Sequence, residues 1–266
     1  MARFLSKMSR IYQEEGLTQL VRRTVQFGFN QFVRPLLPKR IVSYNGISVR
    51  ASDIGDKIIP WQTTDIPEYE EALVRGINQY VTHGDTVVII GGGWGVSSVV
   101  AAENAGESGK VITFEGSEDA VKDVDDTIQL NGVADQVLVR HAVVARDISL
   151  RGSSGDAEVV APMELPDCDV IVLDCEGAEV DILSEMSIRP NTIIVETHGI
   201  FDAPTHKVRD ILDENGYEIS SEEIAEGRNQ AECIKNDIYV LAAHLRYNRD
   251  NTISRSTEQS NDNPHQ

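Results

Sequence analysis

Apolar positions along this chain fall into two kinds of run. Continuous blocks rich in β-branched residues, Thr86–Ile90 (TVVII), Lys110–Glu115 (KVITFE), Gln136–Val144, Val170–Asp174 and Thr192–Glu196 (TIIVE), predict strands, most of them buried on both faces. Between them, apolar residues recur at helical spacing over Val96–Asn104, Ser117–Asn131, Ala178–Met186 and Thr205–Asn215. Ser117 stands where an N-cap is wanted, with Asp119 close behind. Tyr217–Ser220 and Asp237–Ala243 predict closing strands. Strands alternating with helices of this length imply parallel βαβ units in an open, twisted α/β sheet. Asp147–Pro166, with a Gly/Ser core at Gly152–Gly155, reads as a long polar connection.

The region upstream is different. Arg40–Tyr44 and Ile47–Arg50 flank Asn45-Gly46, the strongest short hairpin signal. Ile54–Trp61 reads as another extended piece, and Pro67–Tyr80 as a helix with Glu68, Glu70 and Glu71 in its first turn, where the dipole favours acids. Met1–Tyr12 and Gly16–Arg34 read as helices. The second places Leu17, Leu20, Val21, Val25, Phe29 and Phe32 on one face and ends at Pro35 and Pro38. Four regions result: a basic amphipathic helical extension (1–40), short strands and linker (41–66), the main α/β domain (67–245) and a polar tail predicted to be disordered (246–266).

Charge adds a constraint. The net charge is −19, with seven Lys against seventeen Arg, a balance suited to solubility in high salt and hence to a halophilic source. Such a surface repels phosphate backbones, so nucleic acid is not an expected partner. Residues 1–40 run the other way: eight Lys/Arg and two acids make +6, leaving −25 for the rest. Two readings of that segment stay open: helices packed on the main domain, or a basic amphipathic helix resting on an anionic membrane surface or a partner. No apolar run approaches the ~18 residues a bilayer span needs, and no signal peptide is recognisable. The expected location is cytoplasmic, with the inner membrane face as an option. Cys168, Cys175 and Cys233 show neither disulfide nor zinc spacing.

Candidate chemistry gathers where strands meet helices. After the first long strand come Gly91, Gly93 and Gly95, a G-x-G-x-G turn. The dinucleotide fingerprint G-x-G-x-x-G fails, because Val96 or Ser98 stands where its third glycine belongs. The observed spacing belongs to S-adenosylmethionine (SAM) sites. Glu115 ends the next strand, 24 residues after Gly91, where an acid can accept both ribose hydroxyls. Arg140-His141-Ala142 would border an adenine ring, with small Ala142 leaving room. Asp174, Glu176 and Glu179 cluster at the end of the fourth strand. Asp174 and Glu176 are candidates to hold the cofactor's ammonium, orient an acceptor or take its proton; Glu179 reads as helix-dipole charge. His198, after Glu196, is a candidate general base. Asp174, Glu196 and His198 have no diagnostic metal-ligand spacing, and no metal is expected. An NAD-dependent oxidoreductase and a non-catalytic SAM-binding scaffold stand as alternatives.

Val87–Gly95, Phe114-Glu115, Leu130-Asn131-Gly132, the segment Asp174-Cys175-Glu176-Gly177-Ala178-Glu179 and Ile194-Val195-Glu196 resemble the FkbM family of SAM-dependent methyltransferases. The resemblance covers roughly Thr86 to Ile219, and D-x-E-G-x-E is its most specific part. It implies a class I methyltransferase fold: a Rossmann-like, mostly parallel sheet of seven strands, the last antiparallel, with helices on both faces and SAM at the glycine loop. It further implies O-methylation, of a sugar hydroxyl or carboxyl, with a glycan, a lipid-linked sugar or glycolipid, or a small natural product as acceptor. The chain departs from the family at two positions. Ile89 stands where an acid is usual two residues before the first glycine, and Val172 where a lysine usually precedes the strand-four Asp.

Overall fold

The computed structural model describes residues 40–51, 65–145 and 154–246. The helices expected within 1–40, the extended piece at Ile54–Trp61, and the tail beyond 246 lie outside the described residues. The chain divides into two units at Pro67/Glu68. In the first, β1 (Arg40–Tyr44) and β2 (Ile47–Ala51) pair antiparallel with Val42 opposite Val49. The turn between them has Asn45 and Gly46 both at positive φ (48° and 85°), as a two-residue hairpin turn matching the strand twist requires.

The second unit is the α/β domain. Its elements in chain order are α1 (Glu71–Tyr80), β3 (Thr86–Ile90), α2 (Val96–Ala105), β4 (Lys110–Glu115), α3 (Glu118–Leu130), β5 (Val137–Val144), β6 (Glu158–Val160), β7 (Val170–Leu173), α4 (Glu179–Glu185), β8 (Thr192–Glu196), α5 (Thr205–Glu214), β9 (Tyr217–Ile224), α6 (Gln230–Asn236) and β10 (Tyr239–Leu245). One sheet joins the strands in the order β6-β5-β4-β3-β7-β8-β10-β9. Every pairing from β6 to β8 is parallel, and β10 runs antiparallel to both its neighbours. This is the implied sheet with one addition. The expected polar connection contains β6, a three-residue eighth strand on the edge, paired with Ala142–Val144. Ser117 does cap α3, its hydroxyl accepting from the Ala120 N–H at 3.4 Å.

The apolar blocks are buried on both faces. Val88, Ile90, Ile171, Leu173, Ile193 and Val195 join α4 and α5 residues such as Ile182, Leu183, Val208 and Leu212 in one cluster. Alternate residues, including Ile89 and Val172, point to the opposite face and are also fully buried. Strand order reverses between β3 and β7, the place where open α/β sheets leave a crevice at their C-terminal edge.

At that edge the backbones are in close contact. Asp174 N–H donates to Ile90 O (2.9 Å), and Gly91 N–H to Phe114 O (2.9 Å). Gly91 has φ 99°, and a Cβ there would lie 1.8 Å from the Asp174 carbonyl oxygen. No side chain can be absorbed against main chain at that distance. Gly91→Ala should therefore destabilise the domain by roughly 3 kcal/mol or more. Thermal unfolding of the variant checks this; an unchanged Tm would show that the loop can shift at little cost.

Candidate active site

The crevice is an open cleft at this edge of the sheet. Six segments line it: Tyr69 and Glu70 before α1; Ile90, Gly91 and Gly93 at the end of β3; Phe114, Glu115 and Gly116 at the end of β4; Ala120 of α3; Ala142, Val143 and Val144 of β5; and Asp174, Cys175, Glu176 and Ala178 after β7. Of the sequence-derived candidates, Gly91, Gly93, Glu115, Ala142, Asp174 and Glu176 therefore share one cleft. Gly95 and His198 are not among the lining residues.

Gly95 serves packing instead. It caps α2 at φ 84°, and a Cβ there would meet the Val124 backbone and the Thr127 side chain of α3, each at 3.1 Å. The third glycine of the motif lets two helices close up behind the loop. Arg140 and His141 also lie away from the lining. Arg140 stands over the Phe114 ring and pairs with Glu158 at 2.6 Å, while His141 faces Asp156.

Glu115 is nearly buried and holds the glycine loop in shape. Its Oε2 accepts from the N–H groups of Gly92 (2.9 Å) and Gly93 (3.0 Å), and its Oε1 from that of Ser117 (2.7 Å). A carboxylate has about four acceptor positions, so capacity remains for a ligand hydroxyl.

The turn after β7 is built on Glu179. This side chain is wholly buried, and its dipole role at the start of α4 is the smaller part of what it does. Its carboxylate accepts from the N–H of Cys175 (3.2 Å) and of Gly177 (2.7 Å), and pairs with His198 Nδ1 at 2.9 Å. The fold thus bends the Asp174–Gly177 turn around one buried anion. Glu176 sits in that turn at φ 49°, a left-handed conformation rare for a residue with a side chain.

His198 differs from the neutral base its strand-end position suggested. Its side chain is 7 % exposed, with Nε2 at 3.6 Å from Asp174 and 3.5 Å from Glu196. Burial alone would lower its proton affinity. The Glu179, Glu196 and Asp174 carboxylates outweigh that and push the imidazole up to about 11. With no cation in the proton's place the ring holds its proton through neutral pH, and a charged imidazole accepts no further proton. Asp174 is raised well above the usual carboxylate range, first by burial and then by Glu196, with His198 opposing. Burial likewise raises the Cys175 thiol well above its ordinary value, so it stays protonated and is a poor nucleophile.

Glu70 is a lining residue that periodicity did not single out. The helix begins at Glu71, so Glu70 precedes it, at φ 47°, and faces the cleft. Its carboxylate accepts from Ser97 Oγ at 2.8 Å and lies 3.6 Å from where a Cβ of Gly93 would be. An acid is thus supplied near the glycine loop although Ile89 is a core residue, 1 % exposed.

The methyltransferase FkbM domain matches residues 76–219, just over half of the chain. The chain belongs to the FkbM methyltransferase family. It is also 27 % identical over 146 residues to the ribosomal protein L11 methyltransferase of Bacillus pumilus, a match covering 55 % of this chain and 42 % of that protein, less than half its length. Among solved structures, the ribosomal protein L11 methylase of Lactobacillus delbrueckii subsp. bulgaricus is similar at TM-score 0.47 and 15 % identity, over 73 % of this chain and 91 % of that one. A SAM-dependent O-methyltransferase from Thermotoga maritima is similar at TM-score 0.45 and 17 % identity, over 71 % and 69 %.

The cofactor of this FkbM methyltransferase is SAM, and the cleft fits it. Gly91 and Gly93 present bare main chain, Ala142 is small, and the ionisable side chains Glu70, Asp174 and Glu176 are acids, with no basic residue beside them in the lining to oppose a cationic cofactor. Because Glu179 holds three donors in a buried position, removing it leaves them unmet. Glu179→Ala should cost about 3–5 kcal/mol, lowering Tm by roughly 10 °C. Glu179→Gln, which keeps an acceptor for the two amides, should recover part of that loss; equal stability of all three proteins in a thermal melt would remove Glu179 from this role.

Proposed function

We propose that this methyltransferase acts on oxygen, and that its acceptor is the hydroxyl of a sugar on a glycan, a glycolipid or a natural product. The observation that carries this reading is the pair of carboxylates, Asp174 and Glu176, lining the cleft beside the glycine loop. Their charge opposes an acceptor carboxylate and, with a net charge of −19 over the chain, opposes nucleic acid. A hydroxyl meets no such repulsion and has a proton to lose. Asp174, whose proton affinity burial raises, is suited to take it.

SAM supplies a methyl group already activated by its sulfonium. The chain's own residues do the rest. Gly91 and Gly93 allow close approach to the main chain, Glu115 would receive the ribose hydroxyls, and Ala142 would leave space for adenine. Glu70 would face the methionine ammonium, doing from the start of α1 what the acid usual at position 89 does elsewhere in the family. Asp174 and Glu176 would orient the acceptor oxygen, and His198 would fix Asp174 from behind. The basic segment 1–40, with its net +6, would bring the enzyme to acceptors carried on an anionic membrane surface.

Two measurements test the cofactor half. In calorimetry, Glu115→Ala should weaken SAM binding roughly tenfold or more, since charge-assisted hydrogen bonds are lost; unchanged affinity would remove the ribose role. Glu70 gives the pH dependence. Burial, chiefly, pushes it up to about 7; the Tyr69 and Ser97 hydrogen bonds oppose this, and Glu196 and Glu226 add to it. Below that value it is mostly neutral and holds a cation weakly. SAM affinity should therefore fall as pH drops below 7, by about tenfold per unit at the steepest. Glu70→Gln should flatten the profile, and a variant keeping the wild-type slope would transfer the effect to another group.

A further inference from the structure

We propose that Asp174, Glu196 and His198 form a binding site for one first-row divalent cation such as manganese, with Glu179 orienting the histidine. The fold supplies what spacing in the sequence could not show. Asp174 follows β7, Glu196 ends the neighbouring β8, and His198 is two residues further on. One donor atom from each lies within 4.8 Å of the other two.

The distances favour a shared ion over direct contact. On one side His198 Nδ1 meets Glu179 at 2.9 Å, a normal hydrogen bond. On the other, Nε2 stands 3.5 Å from Glu196 Oε1 and 3.6 Å from Asp174 Oδ1. A charge-assisted hydrogen bond would draw such atoms to about 2.7–2.9 Å. Donors that share an ion at about 2.0–2.2 Å stand roughly 3.0–3.5 Å from one another. The imidazole is thus bonded on one side and spaced for coordination on the other.

The surroundings agree. A carboxylate on the far ring nitrogen fixes the ring and strengthens the other nitrogen as a ligand. Glu179, with no exposed surface, is in that place. The His198 side chain is 7 % exposed, whereas those of Glu196 and Asp174 are 13 % and 23 % exposed, so the cage is more open on its carboxylate side. Three carboxylates surround one imidazole, and Glu70 and Glu176 add their charge to Asp174. A single proton on the ring answers less of that charge than a dication would. One imidazole and two carboxylates, without a thiolate, suit manganese, iron or zinc.

Three protein ligands leave coordination positions for oxygen. On the methyltransferase reading they would take the acceptor's hydroxyl and polarise it beside Asp174, which lines the cleft; that use rests on the reading, and the cation site does not. The test is titration of the full chain with MnCl2, followed by the loss of the free Mn²⁺ paramagnetic resonance signal. It is run in enough KCl to screen the acidic surface. The expected result is one saturable Mn²⁺ per chain, weakened roughly tenfold or more in Asp174→Asn and in Glu196→Gln. The exposed Glu103→Gln should match wild type, and circular dichroism confirms that each variant is folded. No saturable uptake, or equal affinity in the two ligand variants and wild type, overturns the site. Calorimetry with SAM on the same samples separates the two claims. Mn²⁺ uptake without SAM binding supports the site while sinking the methyltransferase use of it, and SAM binding without Mn²⁺ uptake overturns the site alone.

Discussion

A buried carboxylate must find donors, and the edge of this sheet is organised by that requirement. Glu179 has no exposed surface, so its charge is met by two main-chain N–H groups and an imidazole. Meeting them folds the chain after β7 back on itself, sets Glu176 in a left-handed conformation, and brings His198 in behind Asp174. Glu115 does the same at the end of β4, on the other side of β3, where three N–H groups close around it. Both turns are anion-binding concavities whose anion is part of the protein. The cleft between them inherits its shape from two fixed charges.

Much of this fold was legible because short, continuous apolar runs have few uses outside a buried core. Three to five consecutive β-branched residues are hard to place except in a sheet buried on both sides, and β3, β4, β7 and β8 follow that logic to within a residue. What escaped were elements with little burial to announce them. β6 is three residues long on an edge, with Val159 largely exposed. In α6 only Cys233 is buried, so no apolar face is written along it.

The site was legible in its members more than in their roles. Spacing identified Gly91, Gly93, Glu115, Ala142, Asp174 and Glu176 as neighbours, because strand ends in a parallel sheet meet at one edge. It could not assign partners to charges. Glu179 read as a surface acid at a helix start, since nothing local reveals that strand β8 delivers His198 to it. His198 read as a base because its protonation depends on carboxylates from two other segments. Gly95 read as a ligand contact although α3 is what presses on it. Glu70 was assigned to a helix dipole; α1 begins at Glu71 and not at Pro67, which leaves Glu70 ahead of the helix and facing the cleft. In each case the missing information was long-range contact, to which local pattern is blind.

The main-chain contact between Gly91 and Asp174 has a consequence for anyone recombining this enzyme with its relatives. The loop that would receive the cofactor and the turn that would receive the acceptor touch backbone to backbone, with no side chain between them to absorb a misfit. Neither can be lengthened, shortened or exchanged without reshaping the other. In chimaeras the two segments form one transplantable unit although more than eighty residues of sequence separate them, so a crossover point placed anywhere between them divides a single part.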